Sequence, residues 1–179
     1  MANNLISQVT VIPSSVYASI QSKLEKVDLR DPRSLAEAFF NDVQMDERGR
    51  IMMEWAVGHF GPKWTFLENV SEDGFELVSS YSPPIDFFTY LVQQFDSSES
   101  EMIIKVKYQD EGFEPVGALA ISADSDGSVK VCQEEDHDLE DPRMDMDEDD
   151  DEYETAFAEF LSEVEDRKEE LLESCLAQL

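Results

Sequence analysis

An α+β fold is predicted: an antiparallel or mixed sheet with helices packed on one face, then an acidic linker and a long C-terminal amphipathic helix. Three observations predict it. Alternating, β-branched runs are interleaved with runs of three-and-four apolar spacing. The later strand-like runs are joined by only a few residues, which favours antiparallel neighbours. The acid is also unevenly placed. Residues 1–133 hold 21 acids and 10 bases, whereas residues 134–179 hold 21 acids and 3 bases. The chain therefore divides into a folded α+β domain (1–133), a linker (134–152) and a helix (153–179).

Residues 5–12 (LISQVTVI) are β-branched and read as a strand. Pro13, Ser14 and Ser15 open a helix with Val16, Ile20, Leu24 and Val27 on one face. Asp31 followed by Pro32 is an N-cap and first-position pair, starting a second helix through Leu35, Ala38, Phe39 and Val43. After a polar break at residues 46–50, the first half of residues 51–66 reads as helix. Gly58, Gly61 and Pro62 make its second half a structured loop. Residues 74–81 form a strand halted by Pro83 and Pro84, and IDFFTYLVQQF is helical. In residues 101–108, Met102, Ile104, Val106 and Tyr108 alternate with Ile103, Lys105 and Lys107, a half-buried strand. Strands at 115–122 and 128–132 follow, the latter entered through a turn at Asp126 and Gly127.

The chain has 179 residues and a net charge of −29. Such a charge excludes nucleic-acid binding through a basic surface, because phosphate affinity comes from Lys/Arg neutralisation and counterion release. It equally argues against docking on anionic lipid. Eighteen aromatic residues and a 41% hydrophobic share exclude a wholly disordered chain. No apolar run approaches the ~18 residues of a spanning helix, and the N-terminus lacks a basic, apolar leader, so a cytoplasmic protein is expected. Cys132 and Cys175 are 43 positions apart, match no metal spacing and are expected as free thiols.

Residues 134–152 carry 13 acids against Arg143 alone, and such density of like charge favours an extended, solvated arm. In residues 153–179 the apolar positions Phe157, Phe160, Leu161, Val164, Leu171, Leu172, Cys175 and Leu179 form a helical stripe, interrupted by Lys168. That stripe is expected to dock on the body or on a second copy. Glu154, Glu159, Glu163, Asp166, Glu170 and Glu173 form the outer face.

Two patches carry a family resemblance. His59, Phe60, Gly61, Pro62, Lys63 and Trp64 are similar to the N-W-G-T-K-W signature of the YubB-type ferredoxin-like proteins of plasmids and phages. Ser80, Tyr81, Ser82, Pro83 and Pro84 resemble that family's A-W-S-P-P corner. The resemblance spans residues 50–127, departing at His59, Phe60 and Pro62. It implies a ferredoxin-like fold and a mobile-element origin, and it implies no chemistry.

No catalytic constellation is present. Lys63 in the loop of residues 58–64 lacks the P-loop spacing, and the reading favoured there is Trp64 plugging the core above a Gly61–Pro62 turn. An EF-hand register from Asp145 places Asp150 where Gly belongs and Ala156 where Glu belongs. No enzyme, cofactor or metal is therefore expected. The acid itself is the candidate site. Asp145, Asp147, Glu148, Asp149, Asp150 and Asp151, with Glu159, Glu163, Asp166 and Glu170, are expected to bind the basic, nucleic-acid-binding groove of a host defence protein. An anti-restriction or anti-CRISPR inhibitor is the reading that follows. The alternative is an adaptor or homodimer joined through Phe157, Phe160, Leu161, Val164, Leu171 and Leu172, with the acid as a spacer.

Overall fold

The computed structural model describes residues 3–95, 102–123, 127–139, 141–142 and 152–179. The acids at 145–151 on which the sequence reading relied lie outside the described residues.

Alternation in the first apolar run makes Asn4–Ile12 strand β1. It buries Leu5, Ser7, Val9 and Val11 on one face and turns Gln8, Thr10 and Ile12 outward. Three helices follow: α1 (Ser14–Leu24), α2 (Pro32–Phe39) and α3 (Met53–Phe60). The Asp31 carboxylate accepts a hydrogen bond from the Arg33 N–H (2.9 Å), with Pro32 at the first helical position. α2 ends at Phe39, short of Val43. α3 runs through Gly58 and stops at Gly61, whose φ of +92° suits a residue without Cβ.

Strands β2 (Thr65–Val70) and β3 (Gly74–Ser80) form a hairpin, and α4 (Ile85–Phe95) crosses to β4 (Ile103–Asp110). β5 (Val116–Ala123) and β6 (Val129–Asp136) continue as a meander before α5 (Tyr153–Leu176). All neighbours are antiparallel in one six-stranded sheet ordered β2-β3-β1-β4-β5-β6. Strand β2 starts in the last two residues of the 51–66 stretch, read there as loop, and runs on through residues to which the sequence assigns no element. Only Thr65 and Leu67 are buried there, too short an alternation to stand out.

The main core lies between α1–α4 and one face of the sheet. It includes Leu5, Ile20, Leu35, Phe87, Ile104 and Leu119. The aromatics that plug it beside the 58–64 loop are Trp55 and Phe60, 4% and 2% exposed. Trp64 is only half-buried and stacks on Phe66 with ring centroids 5.7 Å apart, so its expected role as core plug is corrected.

α1–α4 occupy one face of the sheet, and α5, whose stripe the sequence assigns to the body or to a second copy, packs across the other. Every residue of β5 is buried, and the face it turns toward α5 is small: Val116, Ala118 and Ala120. Leu171, Leu172 and Cys175 pack over the alanines, and Phe160 and Val164 over Val116. A strand apolar on both sides needs cover on both sides. β6 extends to Asp136, so Glu134, Glu135 and Asp136 belong to the sheet and not to the linker placed at 134–152.

Tyr108 lies across Gly117, its partner on β5, where a Cβ would sit 2.4 Å from Tyr108 Cζ. The ring thereby reaches β6: its hydroxyl is 2.8 Å from Glu135 Oε1, and Gln133 Nε2 donates to it at 2.9 Å. Burial, reinforced by the hydrogen bond to Glu135, pushes the phenol well above its usual range.

Candidate functional site

The helix stripe positions the acid. With five apolar side chains of α5 fixed against β5, the opposite surface points to solvent, and Glu154, Glu159, Glu163, Asp166, Glu170 and Glu173 are all exposed. From Glu159 to Glu173 the spacing of four and three keeps five carboxylates in one row, about 21 Å long at 1.5 Å per residue. That is roughly one charge per 5 Å, sparser than the one per about 3.4 Å of a single nucleic-acid strand.

A second row comes from β6, which sequence reasoning assigned to an arm without a place in the fold. Glu134 and Asp136 share the sheet face turned to α5, and Asp138 follows. Between the rows lies a cleft of about 520 Å³ lined by Asp136, Leu139, Glu159, Glu163, Asp166 and Glu170, with Arg167 among them. Arg167 donates to Asp136 (2.6 Å) and Glu170 (2.9 Å). The Asp138 N–H and the Arg167 guanidinium hold the Asp136 carboxyl below the usual carboxylate range. Arg167 thus pins the two acidic rows together while neutralising only part of them. The signal for the second row was present in the sequence, as the strand at 128–132 runs directly into Glu134.

The residues chosen for helix docking divide. Phe160, Val164, Leu171 and Leu172 are buried on the chain's own sheet, Phe157 is half-buried, and Leu161 is 37% exposed. Lys168, read as a break in the stripe, is 2% exposed beneath α5. It donates to Gln109 Oε1 at 2.7 Å and pairs with Glu165, while Lys107 lies 3.4 Å from both Glu165 and Glu169. Desolvation pushes the Lys168 ammonium below the usual lysine range, with Glu165 opposing.

Between that lowered value and 10.5 the unfolded chain holds more protons than the folded one, so stability rises with pH in that window. Removing one partner of a buried ion pair is costly when the other charge is left stranded, but Glu165 is half-exposed and keeps Lys107 at 3.4 Å. Lys168→Met should accordingly keep or raise stability, by up to about 1 kcal/mol, and flatten the alkaline rise. Urea unfolding as a function of pH measures both. A loss above about 3 kcal/mol, the range for breaking an essential buried pair, would contradict this account.

α5 covers only the β4–β6 half of its face. Beside it, over β1 and β3, runs an open groove of about 700 Å³ with Ile6, Val78 and Phe66 on its floor and the Arg30–Glu68 pair at its rim. A smaller cleft of about 360 Å³ on the opposite side is lined by Ile51, Phe60, Lys63, Trp64, Arg33 and Arg50. This is where the 58–64 loop lies. Arg33 and Arg50 are already paired with Glu37 and Asp46, and His59 stacks on Trp55 at 4.1 Å.

No protein-family model, curated protein or solved structure matches the chain. The likeness to the YubB-type family rests on the two quoted patches alone. No helix among the described residues is long and apolar enough to cross a membrane.

Proposed function

We propose that the protein binds a basic, nucleic-acid-binding surface of another protein, its C-terminal quarter standing in for a phosphate backbone. The observation that supports this reading is the row of exposed carboxylates on α5, held in place by a buried stripe and joined to the acids of β6 through Arg167. A row fixed to a sheet loses little conformational freedom on binding, which favours affinity. Its charge spacing falls short of phosphate density, so the acids at 145–151 are required to supply the remaining charge. An inhibitor of a host defence nuclease, carried by a mobile element, is the fuller form of the proposal.

The strand order β2-β3-β1-β4, with α4 linking β3 to β4 on either side of β1, fits a ferredoxin-like β-α-β-β-α-β unit. In this reading β5, β6 and α5 are additions that carry the acid. The adaptor alternative is weakened because its docking stripe is covered by the chain's own sheet.

The test is Glu159→Gln, Glu163→Gln, Asp166→Asn and Glu170→Gln in one protein. Like charges three and four apart on a helix repel by about 0.2–0.5 kcal/mol per pair, so the variant should fold at least as stably as the parent. Proteins retained by the immobilised parent at low ionic strength should be displaced by duplex DNA and should be lost with the variant. Retention that ignores both the substitutions and the DNA competitor would remove the proposal.

A further inference from the structure

The two cysteines, far apart in sequence, meet at the seam between β6 and α5. Cys132 and Glu134 alternate on the face of β6 turned to the helix, and Cys175 points down from the last turns of α5 with no exposed surface. The two sulfur atoms and a Glu134 carboxylate oxygen all lie within 4.8 Å of one another. A tetrahedral zinc ion with bonds of about 2.3 Å to sulfur and 2.0–2.2 Å to oxygen needs its ligand atoms roughly 3.5–3.8 Å apart. The triad therefore has only to contract slightly.

Its surroundings are those of a supported ligand set. Glu134 Oε1 accepts from Ser174 Oγ at 2.7 Å and from Gln178 Nε2 at 2.6 Å, both donors belonging to the chain's C-terminal segment. Outer contacts of this kind orient a ligating carboxylate. Cys132 and Glu134 are half-buried, which leaves a way in for an ion and a position for water.

We propose that Cys132, Glu134 and Cys175 bind a thiophilic divalent cation of the zinc class, with water as fourth ligand. Two thiolates select against magnesium and calcium, and the carboxylate favours zinc over cuprous ion. The cation would displace the protons of both thiols to solvent and tie α5 to β6. Glu134 also belongs to the acidic row of β6, but the proposal stands apart from the partner reading because its test reads the thiols of Cys132 and Cys175, which that reading does not use.

The full-length reduced protein, freed of reductant and confirmed to hold two free thiols, is titrated anaerobically with Co²⁺ alone. Carboxylates elsewhere in so acidic a chain also take up Co²⁺, but through oxygen only, and give no sulfur-to-cobalt charge-transfer band. A near-ultraviolet charge-transfer band and strong visible absorption saturating at one equivalent, and bleached by Zn²⁺, are expected. Cys132→Ser, at the half-exposed position, should remove most of the band, and Glu134→Gln should weaken Co²⁺ binding by about tenfold. No band in the parent, or an undiminished band in Cys132→Ser with unchanged helical content, overturns the site.

Discussion

Deleting residues 152–179 should abolish cooperative unfolding of the remaining chain, not release an intact N-terminal domain. Phe160, Val164, Leu171, Leu172 and Cys175 are at most 6% exposed, and all are buried on the sheet. Full burial of an apolar side chain of this size is worth about 1.5–3 kcal/mol, against a whole-domain stability on the order of 5–15 kcal/mol. The deletion also bares Val116, Ala118 and Ala120 in the middle of an apolar strand. The shortened protein is expected to bind a hydrophobic dye and to lose its sigmoidal urea transition by circular dichroism. A sharp transition with the parent's midpoint would show that residues 1–133 fold alone and that α5 is an appendage.

The second large effect is expected at Gly74. A Cβ there would lie 2.1 Å from the carbonyl oxygen of Val9, on the neighbouring strand β1. The obstacle is backbone, so no rotamer relieves it. Relaxation is further restricted because Tyr17 Oη lies 2.5 Å from the Gly74 carbonyl and 2.8 Å from that of Ser71, tying the β2–β3 turn to α1. Gly74→Ala should cost about 2–3 kcal/mol, in the range of core overpacking. Gly58→Ala is the control: it lies inside α3 with nothing within 4 Å of the added atom. It should gain roughly 0.5–1 kcal/mol from lost backbone freedom in the unfolded chain. Chemical denaturation of the two variants should move in opposite directions. A loss below about 0.5 kcal/mol at Gly74 would mean that the β1–β3 ladder yields easily.

Much of the fold was legible where one periodicity ruled. The alternation of β1 and β4, the Asp31–Pro32 cap and the apolar stripe of α5 each follow from local spacing. What escaped was set by contacts distant in sequence. Residues 65–70 become a strand because β3 pairs with them, not because of their own pattern. Trp64 and Trp55 are chemically alike, and only the path of α3 decides that Trp55 enters the core. The uninterrupted apolar run of 116–121 was the signal for a second covered face, and the small side chains Ala118 and Ala120 showed how closely a helix approaches it. For the candidate site, the acidic row on α5 was readable from spacing of three and four. Its companion on β6, the burial of Lys168 and the meeting of Cys132 with Cys175 depend on the docking of α5, which no local pattern encodes.

The placement of acid on β6 has a consequence for self-association. In a sheet ordered β2-β3-β1-β4-β5-β6, the outermost strands are the ones with unpaired backbone groups, templates for another chain's strand. At one end, β2 is irregular between Leu67 and Asn69, and the Arg30 N–H takes the Leu67 carbonyl at 2.9 Å. At the other, a second copy laid parallel and in register along β6 would bring Glu134, Glu135 and Asp136 beside their own kind. The same carboxylates that suit a cationic partner therefore oppose growth of the sheet at this edge by parallel, in-register addition.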